Sequence, residues 1–123
     1  YLAARWARQA EMRTHRDLLQ SVGVEVTSSW LDVAEAQGSD KELGAQLDLH
    51  DVSRSDILIS FTETEEVGYN TGGRHVELGY ALANSIPIIV VGPRENIFYH
   101  LSTIKQVSDI NELIQLLKEH KII

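Results

Sequence analysis

The sequence contains no cysteine, so its 123 residues can form neither a disulfide framework nor a metal site built on thiolates. No apolar run approaches the roughly 20 residues of a membrane-spanning helix, and no membrane partner is expected. Basic residues are also few, with 11 lysines and arginines against 18 aspartates and glutamates and a net charge of −7. An acidic surface repels phosphate backbones, so no nucleic acid polymer is expected as a partner. These features favour a cytoplasmic protein.

The length of the chain and its 43% content of hydrophobic residues suit one globular domain over residues 1–123. The chain starts without methionine at Tyr1, inside a predicted strand, so we expect a few residues to precede it in the full-length protein. It shows no internal repeat, linker or low-complexity tract.

Apolar runs and helical spacings alternate along the chain and predict alternating strands and helices. The runs at 56–61 and 86–91 are typical of central parallel strands that are covered on both faces. Further strands are predicted at 1–4, 24–28 and 104–107, and helices at 7–22, from a Ser39 cap to about 53, from Gly73 onward, and from a cap at 108 or 109. This order predicts a flavodoxin-like or Rossmann-like α/β domain, a doubly wound parallel sheet of about five strands in the order 2-1-3-4-5.

The most informative stretch is residues 72–83, between the two central strands. Gly72 and Gly73 allow the backbone to approach a ligand closely, and Glu77 is predicted in the first turn of the helix that follows. Glu77 is therefore predicted at the carboxyl edge of the sheet, where open α/β sheets bind ligands. A carboxylate there can be a nucleophile or hold a ligand, but the helix dipole alone also favours an acidic first turn.

Two other polar residues are candidates for the same site. Asp48 lies late in the second predicted helix, and Asp51 shares its helix face. A solvated acidic face would explain both residues equally well. His75 can tune Glu77 or donate to a substrate, although a surface histidine at a helix end is the simpler interpretation. Asp56 begins a strand at the opposite end of the sheet and is interpreted as structural.

Residues that follow the first two strands are predicted at this edge as well. Arg5 and Arg8 can hold a phosphate or carboxylate, or can lie in a solvated helical turn. Trp30 can stack on a base or pack on the adjacent helix. The polar loop 62–71, which ends at Thr71, is long enough to be functional. The residues expected to bind substrate are Arg5, Trp30, Thr71, Gly72, Gly73 and His75.

Metal and cofactor sites are not expected. The five histidines lack the i, i+4 pair of a zinc-binding helix, and the first strand is not followed by a G-x-G-x-x-G dinucleotide fingerprint. The third predicted strand also lacks the aspartate that a phosphate-accepting receiver domain would carry at its end.

Several segments together carry a resemblance to a known family. They are the opening YLA, Asp48-Leu49, residues 55–59 (SDILI), residues 73–81 (GRHVELGYA) and residues 86–90 (IPIIV). With them, most of the chain resembles the nucleoside 2-deoxyribosyltransferase-like superfamily, which includes deoxyribosyltransferases and nucleotide N-glycosidases. The glutamate-x-glycine-x-alanine core, with an aspartate at this upstream spacing, is the more specific part of the resemblance.

The resemblance implies a role for each matching residue. Glu77 would attack C1′ of the sugar, and Asp48 would handle the proton on the leaving base. Tyr1 would support Glu77, and Thr71 would lie by the sugar or phosphate. The family also implies a homo-oligomer, a dimer or larger, formed through the helix with Tyr80, Leu82 and Ala83 or through the tail Ile122-Ile123.

This chain departs from the family pattern in two places. In having a hydroxyl residue, Thr71, at this position, the chain resembles the monophosphate hydrolases, whereas deoxyribosyltransferases often carry an aspartate there. Arg5 and Arg8 only loosely match the serine- and arginine-rich first loop of those hydrolases. The expected function is cleavage or transfer at the N-glycosidic bond of a (deoxy)nucleoside or nucleoside monophosphate.

Two alternatives remain open at the sequence level. A cytokinin-activating phosphoribohydrolase is also α/β with a Gly-Gly pair and a nearby glutamate, but its signature is absent because Arg74-His75 follow Gly73. A catalytically silent nucleotide-binding or sensor module on the same fold is the alternative from a different functional class.

Overall fold

The computed structural model describes residues 1–34, 40–64 and 72–123. Within them the strands are β1 (Leu2–Ala3), β2 (Leu58–Phe61), β3 (Ile88–Val91) and β4 (Lys105–Val107). The α-helices are α1 (Gln9–Ser21), α2 (Lys41–Ser53), α3 (Gly73–Ala83) and α4 (Ile110–Glu119), and short 3₁₀ turns span Trp6–Arg8, Ser29–Asp32 and Ile97–His100.

The four strands form one parallel sheet in the order β1-β2-β3-β4. All residues of β2 and β3 are buried, because apolar side chains cover both faces of the sheet. One face packs against α2 and α3 through a cluster that includes Val52, Leu78 and Ala81. The other face packs against α1 and α4 through a cluster that includes Met12 and Leu113. The predicted α/β fold with a parallel, two-sided sheet is therefore confirmed.

The predicted strand at 24–28 is wrong, so the described sheet has four strands instead of about five. Side chains replace the strand-to-strand hydrogen bonds at this edge of β1. The main-chain N–H of Leu2 donates to Ser28 Oγ at 2.7 Å, and Trp30 Nε1 donates to the Leu2 carbonyl at 2.9 Å. The outward-facing N–H and carbonyl of Leu2 therefore both have hydrogen-bond partners. Because these groups are satisfied, residues 24–28 can lie beside β1 without pairing with it as a strand.

The helix starts also differ in detail from the prediction. Asp40 caps α2 by accepting from the N–H of Leu43 at 3.0 Å, whereas the predicted cap Ser39 lies outside the described residues. Asp109, one of the two predicted caps, is the N-cap of α4, and its carboxylate accepts a hydrogen bond from the N–H of Glu112. The first helix starts as a 3₁₀ turn at Trp6 and becomes α-helical only at Gln9.

No helix in the described parts of the chain is long and apolar enough to cross a membrane. Tyr80 and Leu82, named for the expected homo-oligomer, pack against the core face of α2 and α3, while Ala83 is exposed. In the tail, Ile122 is half exposed and Ile123 packs against the opposite core face. The homo-oligomer stays a prediction.

Candidate active site

Glu77 is a buried carboxyl group on the inner side of α3, with 9% of its surface exposed. The helix starts at Gly73 with Gly72 as its N-cap, so Glu77 lies in the second turn. The prediction of a first-turn position is therefore wrong, and attraction to the helix N-terminus does not account for this glutamate. Burial is the main reason why the pKa of Glu77 is raised to about 8, which marks the residue as a functional candidate.

Tyr1 holds one oxygen of this carboxyl group. Its hydroxyl donates a hydrogen bond to Glu77 Oε2, and this contact partly offsets the effect of burial on the pKa of Glu77. The main chain of Tyr1 is fixed by β2, since its nitrogen donates to Ile57 O at 2.9 Å and its carbonyl accepts from Ile59 N at 2.8 Å. Burial and the charge of Glu77 raise the pKa of the Tyr1 phenol well above its ordinary value, so the phenol remains a donor.

Asp48 lies half-buried on α2, the helix that packs against α3. Burial first, and then the charge of Asp51, raise the pKa of Asp48 to about 6. The negative charge of Asp48 in turn raises the pKa of both Glu77 and Tyr1. The three groups predicted to carry the chemistry are thus electrostatically coupled.

Asp51, the neighbour of Asp48 on the same helix face, has a different environment. The residue is 3% exposed, and its carboxylate accepts hydrogen bonds from Ser29 N at 3.0 Å, Ser29 Oγ at 2.5 Å and Arg54 Nε at 3.3 Å. These bonds fix the turn that carries Trp30, so Asp51 is a structural residue. Asp56 is exposed ahead of β2, and its structural interpretation stays a prediction.

His75 contacts a tyrosine that the sequence analysis missed. Its Nδ1 lies 2.9 Å from the hydroxyl of the fully buried Tyr99, which lies 3.3 Å from Ser60 Oγ. Burial and the neighbouring Arg74 lower the pKa of His75. His75 and Tyr99 thereby connect the first turn of α3 to the carboxyl half of β2.

Arg74 and Glu95 form an ion pair that the sequence analysis also missed. Arg74 is 3% exposed, and its Nη2 and Nε lie 2.5 Å and 3.1 Å from the Glu95 carboxylate. Glu95 also accepts the main-chain N–H of Glu63 at 2.7 Å. The pair therefore joins the start of α3 to the segments that follow β2 and β3. No local pattern reveals it, because the partners are 21 residues apart.

The arginines that were predicted to hold an anion bind carboxylates of the chain itself. Arg5 Nη1 lies 3.1 Å from Glu63 Oε1, and Arg8 Nη1 lies 3.0 Å from Glu63 Oε2. Arg8 also makes two hydrogen bonds to Glu11, at 2.9 Å and 2.7 Å. Both arginines lie at the carboxyl edge of the sheet, as predicted, but the anion that they bind there belongs to the protein.

Trp30 packs within the protein. Its indole N–H donates to Leu2, and its ring lies 6.1 Å from that of Trp6 and contacts both core clusters. The packing alternative of the sequence analysis therefore applies, and base stacking by Trp30 stays a prediction.

Gly72 and Gly73 are exposed at the start of α3. The φ of Gly72 is −83°, and a Cβ atom at either position would meet no atom of the described residues within 4 Å. Among those residues neither crowding nor backbone conformation requires glycine here, and a role of the pair in binding a ligand stays a prediction. Thr71, the next predicted site residue, lies outside the described residues.

Within residues 1–34, 40–64 and 72–123, no group of three or more His, Asp or Glu side chains is placed to hold a metal ion. The chemistry that the described site offers is that of two carboxyl groups with raised pKa values and a phenol donor.

Comparison with known proteins bears on the fold. The sequence matches no protein-family model and no curated protein. Among solved structures, that of Clostridium botulinum CMP N-glycosidase, BcmB, matches with a TM-score of 0.62 at 20% sequence identity, over 96% of this chain and 97% of that chain. The chain therefore has the fold of this N-glycosidase, as its resemblance to the nucleoside 2-deoxyribosyltransferase-like proteins implied.

Proposed function

We propose that the protein cleaves, or transfers the sugar at, the N-glycosidic bond of a (deoxy)nucleoside or nucleoside monophosphate, with Glu77 as the nucleophile. The observation that carries the proposal is the buried Glu77 carboxyl group, held at one oxygen by Tyr1 and coupled to Asp48. The N-glycosidase fold supports the choice of bond, since the solved neighbour is named for cleavage of a nucleotide at that bond.

Glu77 would act on charge that develops at the sugar. Breaking an N-glycosidic bond builds an oxocarbenium-like positive charge at C1′, as in O-glycoside hydrolysis. A carboxylate beneath C1′ stabilises this charge and can form a covalent glycosyl-enzyme. Because Tyr1 donates to Oε2, the other oxygen of Glu77 is left to attack C1′.

The number of protons that Glu77 and Asp48 hold together suits this reaction. With pKa values of about 8 for Glu77 and about 6 for Asp48, the two carboxyl groups together hold one proton near pH 7. Catalysis needs that proton on Asp48, ready for the leaving base, and a negative charge on Glu77. The positive charge that develops on the sugar favours the ionised form of Glu77.

Release of free base tests the proposed function. The protein is incubated with each common nucleoside, deoxynucleoside and 5′-monophosphate, and the free base is separated chromatographically. We expect release from at least one member of this panel. Saturable binding without release from any member would instead favour the silent nucleotide-binding module, and failure to bind any member would contradict both functions.

Asp48→Asn is expected to slow turnover by about 10²–10⁴-fold on substrates whose base must be protonated to leave. The loss should be much smaller with 7-methyl-2′-deoxyguanosine, whose base is already cationic and leaves without a proton. The measurement is the kcat of wild type and variant on both kinds of substrate.

The matched control for this substitution is Asp56→Asn, since Asp56 is an exposed aspartate ahead of β2. It should leave both rates unchanged. If Asp48→Asn reduces turnover equally on the two kinds of substrate, Asp48 is not the acid.

A further inference from the structure

Three arginines at the carboxyl edge of the described sheet are each paired with a carboxylate of the chain, whereas a fourth, Arg94, donates to Gln106 Oε1 and to the carbonyls of Tyr99 and Ile104. Arg5 and Arg8 bind Glu63, and Arg74 binds Glu95. A ligand that carries its own anionic group would therefore have to compete with an internal carboxylate for these guanidinium groups.

Glu63 is placed between two guanidinium groups as a bound anion would be. Each of its oxygens takes one N–H, at 3.1 Å from Arg5 and 3.0 Å from Arg8. Two arginines that converge in this way on the oxygens of one group are a typical phosphate-binding arrangement. Here the position is taken by a glutamate side chain that is only 13% exposed.

The main chain holds Glu63 in this position. Its N–H donates to Glu95 Oε1 at 2.7 Å. The preceding Thr62 is tied through its carbonyl to Arg8 at 3.2 Å and through its hydroxyl to Pro93 O at 2.6 Å. These bonds fix the main chain at Glu63, and the two arginines hold its carboxylate.

The local charge also opposes a second anion. Glu63, Glu11 and Glu95 bring three carboxylates to the three guanidinium groups of Arg5, Arg8 and Arg74. A dianionic phosphate would therefore meet guanidinium groups that are already neutralised.

We propose that Glu63 is a specificity-determining residue: it occupies the Arg5–Arg8 anion site and restricts the enzyme to nucleosides without a 5′-phosphate. The inference rests on the proposed N-glycosidic function and narrows its substrate class. Replacement of the carboxylate by an amide keeps the shape of the side chain and its ability to accept hydrogen bonds, but removes the charge that excludes phosphate.

The test compares kcat/KM for a nucleoside and its own 5′-monophosphate, in wild type and in Glu63→Gln. We expect wild type to prefer the nucleoside by about tenfold or more, and Glu63→Gln to shift this ratio toward the monophosphate by about tenfold. Glu11→Gln is the matched control. Glu11 pairs with Arg8 but not with Arg5, so its loss should shift the ratio far less.

A preference of the wild-type protein for the monophosphate would overturn the inference. Because this comparison uses the wild-type protein alone, it tests the inference even if Glu63→Gln does not fold. An unchanged ratio in a Glu63→Gln protein with wild-type melting temperature would also overturn it. Release of base from neither substrate would count against the proposed function instead. In that case calorimetric titration with ribose 5-phosphate decides the role of Glu63: tighter binding to Glu63→Gln supports it, and equal binding overturns it.

Discussion

Glu77→Gln is expected to reduce base release by at least about 10²–10³-fold, while the protein still folds and binds its substrate with nearly unchanged affinity. Glu77 acts on positive charge that exists only in the transition state, so its loss should appear in kcat and much less in KM. The glutamine amide oxygen can still accept the Tyr1 hydroxyl, and the local structure is therefore retained. The measurement is steady-state kinetics on the best substrate of the panel.

The control for this experiment is Glu119→Gln, the same chemical change at an exposed position at the end of α4. Its kcat should equal that of wild type. Near wild-type turnover by Glu77→Gln would contradict the role given to Glu77.

The same substitution is expected to stabilise the protein at alkaline pH. The pKa of Glu77 is about 8 in the folded chain against an ordinary value of 4.5, so between these values the folded state holds a proton that the unfolded state has lost. Stability must therefore fall as pH rises through this window. At about 1.4 kcal/mol per pKa unit, the ionisation of this buried group costs about 4 kcal/mol of stability near pH 8.

Glu77→Gln removes this titration. We expect the free energies of unfolding of wild type and variant to be similar near pH 5, and the variant to exceed wild type by a few kcal/mol near pH 8. Urea unfolding at several pH values measures the difference. A difference that does not change between pH 5 and pH 8, or a variant that is the less stable protein at pH 8, would contradict the raised pKa.

Burial explains which parts of the fold could be predicted from the sequence. The runs that became β2 and β3 are apolar except for Ser60, because they are covered on both faces. Residues 24–28 have the alternation of a strand, but the Leu2 N–H donates to Ser28 Oγ and Trp30 donates to the Leu2 carbonyl, and these bonds replace the ladder. That replacement depends on two side chains reaching one backbone residue 26 and 28 positions away, which no local pattern encodes.

The candidate site could be predicted where a local motif carries it. Glu77 lies in a helix that starts at a glycine pair, between that pair and the small residues Gly79 and Ala81. The family resemblance added Tyr1, whose hydroxyl does reach Glu77. Tyr99 and Glu95 were missed because their partners are 24 and 21 residues away in the chain and meet them only through packing. Arg5 was placed at the correct edge, but its internal partner Glu63, 58 residues away, could not be foreseen.

The covalent glycosyl-enzyme is the species on which the proposed mechanism depends most directly. A 2′-fluoro analogue of the best substrate would slow breakdown of this intermediate, and the acid-quenched, digested enzyme can then be analysed by mass spectrometry. We expect the fluorinated sugar on the peptide that contains Glu77, with no such adduct in Glu77→Gln. Attachment of the sugar to any other residue, or its persistence in Glu77→Gln, would contradict the assignment of Glu77 as the nucleophile.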